Sequence, residues 1–327
     1  MFHVAIIESI NEKAIDSLSR NSKYSYEVIE NFDENKSIDK LKDADAIAIR
    51  TGVLSEKAIN QCKKLKIISR HGVGYDNIDL EAINKRNIPL TITINANALT
   101  VAEHVFAMMF YFNKNITKFD KSVRNNQWSK LIMDGTKIIT INSELYNKSI
   151  FILGYGRIGK ELASRCLAFK MNIYIYDPFI NKDDLGQNIK KIDELEDGFS
   201  IADYISIHIP LSEKTRNLIN KKNLIKMKPN AFIINTSRGG IINEDDLNTA
   251  LNDNIISGAG LDVFDEEPIL HNHNLLNNSK VIMTPHIAAH TSECWERHGR
   301  ETLKNITDYF DDNLDLNTVV NRDSINL

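Results

Sequence analysis

Residues 149–159 read SIFILGYGRIG, an apolar run followed by a glycine-rich turn, and the residues after it, KELA, are typical of a helix. This is the pattern G-x-G-x-x-G in the strand–turn–helix setting that binds a dinucleotide. The first glycine permits the tight turn, the second lets the backbone approach a pyrophosphate, and the third allows close packing of helix and strand. The N–H groups at the helix start attract phosphate. The predicted cofactor-binding turn comprises Gly154, Tyr155, Gly156, Arg157, Ile158 and Gly159.

An acidic residue at the end of the next predicted strand sharpens this prediction. Asp177 follows the apolar run 172–176 and lies 18 residues after Gly159. A carboxylate at this position accepts hydrogen bonds from both ribose hydroxyls and repels a 2′-phosphate. No arginine follows it directly. The pattern favours NAD over NADP, with a plain strand-end turn residue before Pro178 as the alternative interpretation.

The rest of the chain repeats this alternation of strands and helices. Short apolar runs alternate with amphipathic stretches over about the first 95 residues, and a second series begins at Ser149. Such alternation indicates βαβ units and parallel sheets, so we predict an α/β fold with two doubly wound parallel-sheet domains. Among the predicted elements are helices at 38–42, at 80–86 with Asp79 as its cap, and at 100–114 with Thr100 as its cap and Glu103 as the capping-box partner.

Polar residues follow three later strands, at the edge where open parallel sheets bind ligands. Arg238, Glu267 and His286 come after the predicted strands 231–235, 256–261 and 281–284. A guanidinium grips a carboxylate and polarises a neighbouring carbonyl, and a histidine beside a carboxylate moves protons near neutral pH. The set fits reduction of a 2-oxo acid by a nicotinamide cofactor. Taken singly, the alternatives are a loop arginine, a solvated acidic run and a structural histidine.

Composition bounds the protein class. The 327 residues suffice for about two domains, and the 42% hydrophobic and 26% charged residues are close to soluble averages. A net charge of −4 argues against a broad basic surface for nucleic acid. No apolar run approaches the ~18 residues that span a membrane, and MFHVAII at the N-terminus lacks signal-peptide features. The three scattered cysteines form neither a disulfide framework nor a metal cluster. We therefore expect a reduced, cytoplasmic protein without a metal.

With these residues in place, the sequence resembles the D-isomer-specific 2-hydroxyacid dehydrogenase family over nearly its whole length. The motifs that carry the resemblance are Gly154–Gly159 with Asp177, His208–Thr215, Asn235–Gly239, Asp262–Pro268 and Thr284–Ala288. The resemblance implies a flavodoxin-like substrate-binding domain at 1–98 plus 290–327, a Rossmann NAD domain at 99–289, and an active site in the cleft between them. It also implies a homodimer formed through the NAD domain.

The resemblance implies roles for individual residues. Arg238, Glu267 and His286 fall on the family's catalytic positions, and Asp262 falls on its contact with the nicotinamide carboxamide. The remaining cofactor positions implied are Val101, His208, Pro210, Thr215, Thr236 and Ser237. The implied substrate-binding positions are Arg50, Arg70, His71, Val73 and Gly74, the last two through backbone N–H groups, which suit an anion.

The sequence of residues 70–79, RHGVGYDNID, is most similar to that of phosphoglycerate dehydrogenase-like members of the family. Arg50 and Arg70 suit a substrate with a carboxylate and a phosphate, unless they are ordinary surface arginines. The first hypothesis is therefore interconversion of 3-phosphoglycerate and 3-phosphohydroxypyruvate, in serine biosynthesis. A glyoxylate or hydroxypyruvate reductase and an NAD(H)-sensing, corepressor-like binding protein stay open, and phosphite oxidation is a third possibility. The chain stops where longer relatives carry a regulatory domain, so feedback by serine is not expected.

Two departures from the family and several histidines complete the predictions. Asn147 stands where the family has glycine before the nucleotide strand, so we expect left-handed backbone there. The segment between Trp128 and Glu144 looks longer than usual, and Lys130–Asn142 within it is predicted to be a dimer arm or to reach the partner's active site. His271 and His273 lack a third metal ligand and are interpreted as an exposed loop. His290 and His298 are predicted to be surface or packing residues.

Overall fold

The structure is a computed structural model that describes residues 1–127, 133–134, 137–138 and 142–326. The chain folds into two compact units. One combines Met1–Asn97 with His290–Leu327, and the other is Ala98–Ala289.

The first unit is built on a parallel sheet of five strands in the order β2-β1-β3-β4-β5. In chain order its elements are β1 (Phe2–Ile7), α1 (Glu12–Ser19), β2 (Tyr24–Ile29), α2 (Glu34–Ser37), β3 (Ala46–Ile49), α3 (Glu56–Gln61), β4 (Ile67–Arg70), α4 (Leu80–Lys85) and β5 (Leu90–Ile92). All four strand pairs are parallel, and this order is that of flavodoxin-like folds.

The second unit is built on a parallel sheet of seven strands in the order β10-β9-β8-β11-β12-β13-β14. Its elements are α5 (Ala98–Lys114), α6 (Ile116–Arg124), β6 (Met133–Asp134), β7 (Lys137–Ile138), β8 (Ser149–Leu153), α7 (Arg157–Ala168), β9 (Asn172–Tyr176), β10 (Ile189–Lys191), α8 (Leu195–Ile201), β11 (Tyr204–Ile207), α9 (Lys221–Leu224), β12 (Phe232–Asn235), α10 (Glu244–Asn252), β13 (Gly258–Leu261) and β14 (Val281–Met283). The strand order reverses at β8, between β9 and β11, which is where such sheets bind ligands.

The last helix of the chain, α11 (Ser292–Phe310), returns to the first unit. Thr291 caps it by accepting a hydrogen bond from the N–H of Cys294, and Leu303 and Ile306 share a core with β1. The segment that follows α11 runs along β5, where the N–H of Val320 donates to the carbonyl of Leu90. The two termini of the chain therefore complete one unit.

Both sheets are covered on both faces. Along β1, Ala5 and Ile7 belong to one core and Val4 and Ile6 to another; the residues of β8 divide in the same way. Because successive side chains of a strand point to opposite faces, each sheet carries an apolar core on either side. The predicted fold class, α/β with two parallel-sheet domains, is confirmed.

Of four predictions made from local sequence signals, two are confirmed and two are wrong. Asp79 caps α4 as predicted, by accepting a hydrogen bond from the N–H of Ala82 at 3.0 Å. Asn147 adopts the predicted left-handed backbone, with φ +58°. The predicted cap at Thr100 is wrong, because α5 begins two residues earlier, at Ala98, and Thr100 lies buried inside it. The predicted helix 38–42 is a 3₁₀ turn over Ile38–Leu41.

Two helices were not predicted, and one predicted segment lies mostly outside the described residues. Helices α6 and α8 were not predicted, since α6 lies in a stretch of mostly polar residues and α8 is only seven residues long. Most of the predicted dimer arm Lys130–Asn142 lies outside the described residues; β6 and β7, which pair antiparallel, are its described strands. In the part of the chain that the structure covers, no helix combines the length and apolar character needed to cross a bilayer.

Candidate active site

The glycine-rich turn joins β8 to α7 in the second unit. Gly154 has φ +96°, and a side chain there would meet the carbonyl of His208 at 2.6 Å. A Cβ at Gly159 would lie 2.3 Å from the carbonyl oxygen of Gly154, so the first turn of the helix can approach the strand end only without a side chain. A Cβ at Gly156 would meet nothing within 4 Å. The exposed backbone at this glycine is therefore open to a ligand.

Asp177 lies beside this turn, directly after β9. Its Oδ2 accepts a hydrogen bond from the N–H of Tyr155, and its Oδ1 accepts one from the N–H of Phe179, both at 2.9 Å. These bonds fix a half-buried carboxylate next to the glycine turn, where a ribose would bind. The ring of Tyr155 is only 7% exposed and packs in the core. Any contact of Tyr155 with a cofactor would therefore be through its backbone.

Further residues implied for the cofactor lie around the carboxyl ends of β11 and β12. Among these implied residues, two have a buried polar atom without a hydrogen-bond partner in the described part of the chain: Thr236 at Oγ1 and His208 at Nδ1. The other ring nitrogen of His208 is 2.8 Å from Oγ of Ser206. Ser237 is bonded to the Asn235 side chain, and the hydroxyl of Thr215 donates to the carbonyl of Pro210. The open turn at Gly156 and the unpaired Thr236 hydroxyl fit a dinucleotide.

Val101, also implied for the cofactor, is 3% exposed and faces the core side of α5. The side chain is packed away from solvent, and its implied contact with the cofactor stays a prediction.

His286 and Glu267 form a hydrogen-bonded pair, with Nδ1 of the histidine 2.7 Å from Oε2 of the glutamate. His286 has left-handed backbone, φ +52°, which turns it out of the loop after β14. The carboxylate raises the pKa of His286 above 6.5, against the opposing effect of burial. Burial alone would raise the pKa of Glu267, but hydrogen bonds from His286 and from the N–H of Phe264 bring it below its usual value. The pair therefore favours a charged imidazolium beside an ionised carboxylate.

Arg238 completes this group of charges. It lies in the loop after β12, and its guanidinium donates to the carbonyl of Ser237 at 2.7 Å. Its positive charge acts on both members of the pair, lowering the pKa of Glu267 and that of His286. The next residue, Gly239, packs directly on the backbone of Phe264, where an added Cβ would lie 1.7 Å from the carbonyl oxygen. The loops that carry Arg238 and Glu267 are thus in backbone contact.

Asp262 follows β13 directly and lies inside the protein. The carboxylate is completely buried, and its oxygens accept hydrogen bonds from the hydroxyl of Thr284 at 2.5 Å and from the N–H groups of Ile287 and Ala288 at 2.8 Å. The carbonyl of Asp262 also accepts the N–H of His286. In this structure Asp262 therefore positions the loop of His286, and its implied contact with the nicotinamide carboxamide stays a prediction.

His104 belongs to the same network and was missed in the sequence as a site residue. Its Nε2 lies 3.1 Å from the hydroxyl of Thr284 and 3.8 Å from Oδ1 of Asp262. Because the single hydroxyl proton of Thr284 is donated to Asp262, His104 is the donor to that oxygen. The only sequence signal was its place near the start of α5, which does not reveal a partner 180 residues away.

The substrate-binding residues implied by the resemblance lie in the first unit, at the carboxyl ends of β3 and β4. The guanidinium of Arg70 donates to the carbonyl of His71, and Gly72 donates its N–H to Oγ1 of Thr93 at 2.9 Å. Val73 and Gly74 follow in the same partly exposed loop. The guanidinium of Arg50 lies 4.7 Å from the ring centre of Trp295, a geometry that favours a cation–π contact.

Three rings pack together at this loop, those of His71, Trp295 and His298. The ring of His71 is 4.8 Å from that of Trp295 and 5.1 Å from that of His298, and His298 is also bonded to Thr93 at 2.5 Å. Burial lowers the pKa of His71 to about 3 and that of His298 to about 4; neighbouring arginines add to both shifts. His298, predicted as surface or packing, is a packing residue. The role of Trp295 was missed, since its helix begins more than 200 residues after the loop.

Comparison with known proteins places these observations in a family. The sequence profile of the NAD-binding domain of D-isomer specific 2-hydroxyacid dehydrogenases matches residues 106–288, which is more than half of the chain. A D-3-phosphoglycerate dehydrogenase from Synechocystis sp. is 39% identical over 297 residues, covering 90% of this chain and 51% of that protein. A hydroxypyruvate reductase from Thermotoga maritima is 34% identical over 302 residues, covering 90% of this chain and 94% of that protein. The chain spans about half the length of the phosphoglycerate dehydrogenases it matches.

Solved structures agree with this result. A D-lactate dehydrogenase from Aquifex aeolicus, in complex with NAD and lactic acid, superposes with a TM-score of 0.81 at 27% identity, covering 95% of this chain and 96% of that one. The predicted cofactor, NAD, is confirmed by the matching NAD-binding domain, whose glycine turn and Asp177 have the geometry described above. The profile match and these identities together show that the chain belongs to the D-isomer specific 2-hydroxyacid dehydrogenase family.

Proposed function

We propose that this protein is an NAD-dependent oxidoreductase that interconverts a D-2-hydroxy acid and its 2-oxo acid. The observation that carries the proposal is the 2.7 Å hydrogen bond between His286 and Glu267, with the charge of Arg238 acting on both. A histidine whose pKa is raised by a carboxylate holds its proton at neutral pH and is suited to general acid catalysis.

The proposed roles follow from the hydrogen bonds that these side chains already make. Nδ1 of His286 is bonded to Glu267, so Nε2 is the atom that carries the exchangeable proton, on a side chain that is 52% exposed. In reduction, Nε2 protonates the oxygen that was the substrate carbonyl; in oxidation, neutral His286 takes the hydroxyl proton. Glu267 orients the ring and stabilises its charged form. Arg238 binds the substrate carboxylate and polarises the carbonyl.

The second unit supplies the cofactor site in this proposal. The turn 154–159 with the start of α7 would hold the pyrophosphate, and Asp177 would bind the ribose hydroxyls. Thr236 has a buried hydroxyl that suits a ligand hydrogen bond. When bound, the nicotinamide donates or accepts the hydride.

The first unit supports 3-phosphoglycerate and 3-phosphohydroxypyruvate as the substrate pair. Arg50 and Arg70 lie at the ends of adjacent strands and provide two cations for an acid that also carries a phosphate. Val73 and Gly74 would bind the carboxylate through their N–H groups. The similarity to proteins named D-3-phosphoglycerate dehydrogenase points the same way. This assignment also carries the proposed role in serine biosynthesis.

A hydroxypyruvate or glyoxylate reductase is the second candidate. The observation in its favour is that the Thermotoga hydroxypyruvate reductase matches over 94% of its own length, whereas the phosphoglycerate dehydrogenases match over about half of theirs. A protein named glyoxylate reductase from Thermococcus litoralis is also 35% identical. The residues of the second unit would act in the same way on either class of acid.

We also propose a homodimer that forms through the second unit. Side chains of Tyr111, Ile116 and Val123, on α5 and α6, are 39%, 62% and 49% exposed. Burial of these side chains against a second copy would remove apolar surface from water. Sedimentation at several protein concentrations tests the proposal, and a monomer at all of them contradicts it.

The activity is tested by following the absorbance of NADH with a panel of 2-oxo acids. The panel contains 3-phosphohydroxypyruvate, hydroxypyruvate, glyoxylate, pyruvate and 2-oxoglutarate. Oxidation of NADH with the phosphorylated acid alone supports the first candidate, and a preference for hydroxypyruvate or glyoxylate supports the second. No turnover in any well, from protein shown to bind NADH, contradicts the proposed activity and favours an NAD(H)-sensing role.

A further inference from the structure

A second glutamate–histidine pair lies in the second unit and has no place in the reaction described so far. Nε2 of His273 is 2.9 Å from Oε2 of Glu244, and the two side chains are 23% and 10% exposed. Glu244 is the first residue of α10, and His273 directly precedes the 3₁₀ turn Asn274–Asn277. The predicted exposed loop at 271–273 is thus partly buried, because His273 turns inward to a carboxylate.

The hydrogen bonds of His273 fix its tautomer. Nδ1 accepts the N–H of Leu275 at 3.3 Å, which caps the 3₁₀ turn. A nitrogen that accepts a hydrogen bond carries no proton, so the proton of the neutral ring lies on Nε2. Nε2 therefore donates to Glu244. The contact is directional, and both partners of the ring are defined.

The other oxygen of Glu244 holds the turn that carries Glu267. Oε1 of Glu244 accepts the N–H of Asp265 at 2.9 Å. The preceding N–H, that of Phe264, donates to Oε1 of Glu267 at 3.0 Å. Two consecutive N–H groups of one turn thus bind two different glutamates, and each glutamate is paired with a histidine.

Other charges around Glu244 add to this arrangement. Burial raises the pKa of Glu244, as does the charge of Asp265, while hydrogen bonds from the Asp265 N–H and from His273 oppose the shift. Asp265 itself faces Arg216 at 3.5 Å. On α10, Asp245 is exposed and Asp246 accepts the N–H of Lys221. The donors from Asp265 and His273 are therefore what allows a mostly buried carboxylate to sit at this position.

We propose that Glu244 and His273 are positioning residues that fix the turn 264–267 so that Glu267 meets His286 in the geometry required for proton transfer. The inference rests on the proposed function, because it assigns the pair a purpose in that reaction. Glu244 anchors the turn from the side of α10, and His273 holds the Glu244 carboxylate in place. Neither residue touches the reacting atoms.

The test separates the bond to Glu244 from the cap of the 3₁₀ turn. In His273→Asn the shorter side chain still caps the N–H of Leu275 but does not reach Glu244. In His273→Gln the amide nitrogen takes the place of Nε2 and restores the donor. His271→Asn, at an exposed histidine of the same loop, is the matched control. Glu244→Ala removes the anchor itself.

We expect His273→Asn and Glu244→Ala to lower kcat about tenfold, or about 1.4 kcal/mol in barrier, with a change below about twofold in KM for the oxo acid. His273→Gln should recover most of the loss, and His271→Asn should match wild type. The second readout is the pKa of His286, followed by NMR on histidine-labelled protein and assigned with His286→Gln. It should be lower in both damaging variants.

The outcomes distinguish the two hypotheses. If His273→Asn and Glu244→Ala lower only the melting temperature, with kcat and the His286 titration as in His271→Asn, the pair is a fold contact and the inference is overturned. If wild-type protein turns over no acid, the proposed function fails. The titration of His286 in the same variants then still shows whether the pair positions Glu267.

Discussion

In the second unit His286 faces a carboxylate, whereas in the first unit His71 and His298 lie among arginines. The carboxylate of Glu267 raises the pKa of His286, on a half-exposed ring. Burial, aided by nearby positive charge, lowers the pKa of His71 to about 3 and that of His298 to about 4. The same side chain thus has a raised pKa in one unit, as the proposed proton transfer requires, and is a neutral packing group in the other.

The difference shows what sets the pKa of a histidine in this chain. Each of these three rings is close to other polar groups, so proximity alone does not distinguish them. The sign of the nearest charge and the access of the ring to solvent distinguish them. A charged histidine in the first unit would add to the positive charge of Arg50 and Arg70 at the cost of burying a cation. A neutral histidine packs in the same region without adding charge, and the two arginines supply the positive charge for an anion.

The largest effect should come from removing the proposed proton carrier. His286→Gln is expected to lower kcat by about 10²–10⁴-fold, the contribution typical of a general acid. The affinity for NADH should change little, because the glycine turn and Asp177 are untouched. Steady-state kinetics and fluorescence titration with NADH measure the two quantities. Equal losses in both would mean that His286 acts in cofactor binding and not in proton transfer.

Removing the charge of its partner should move the pH profile. Glu267→Gln keeps the size of the side chain but removes the carboxylate that raises the pKa of His286. Reduction needs the protonated ring, so its rate falls as pH rises through that pKa, and in the variant this fall should occur at lower pH. We also expect kcat at neutral pH to drop roughly 10²-fold. Profiles of kcat against pH for both proteins check this, and an unshifted inflection would contradict the role of Glu267.

Signals that lie close together in the sequence predicted their structures well. The glycine turn 154–159, Asp177 and the cap at Asp79 depend on neighbours within one βαβ unit or one helical turn, and each is where the sequence placed it. The positions of Arg238, Glu267 and His286 followed from one further rule, that ligands gather beyond the carboxyl ends of parallel strands. The alternation of short apolar strands with amphipathic helices was enough to predict the fold class.

Contacts between distant segments could not be predicted in the same way. Thr93 and His298 are 205 residues apart, and nothing local to either predicts their hydrogen bond. The resemblance implies a cofactor contact for Asp262, but the sequence did not reveal its burial, which depends on how the loop 284–288 folds over it. The pairing of His273 with Glu244 escaped notice for the same reason. A sequence gives the side chain, but not which of several possible partners reaches it.

The arginines of the first unit provide a smaller and more selective effect. Arg50→Met should raise KM for a phosphorylated oxo acid about tenfold, since a hydrogen bond to a charged group contributes about 1.5–3 kcal/mol. The KM for glyoxylate, which has no second anion, should change less than about twofold. Arg20→Met, at an exposed arginine of the same unit, is the matched control. An equal rise in KM for both acids would remove the assignment of Arg50 to the phosphate.

The smallest effect should appear in stability rather than in rate. His71 and His298 are neutral in the folded protein down to about pH 4, whereas in the unfolded chain a histidine binds a proton below about pH 6.5. Because the folded-state pKa is lowered, the stability that depends on each neutral ring is present above pH 6.5 and is lost as pH falls. Between about pH 6.5 and 5 each such histidine should therefore contribute a slope of ~1.4 kcal/mol per pH unit to the free energy of unfolding. His298→Gln should remove one such slope, and His290→Gln, at an exposed histidine, should remove none. Urea unfolding across this pH range measures the difference, and parallel curves for wild type and His298→Gln would mean that His298 is already charged in the folded protein, which would end the contrast with His286.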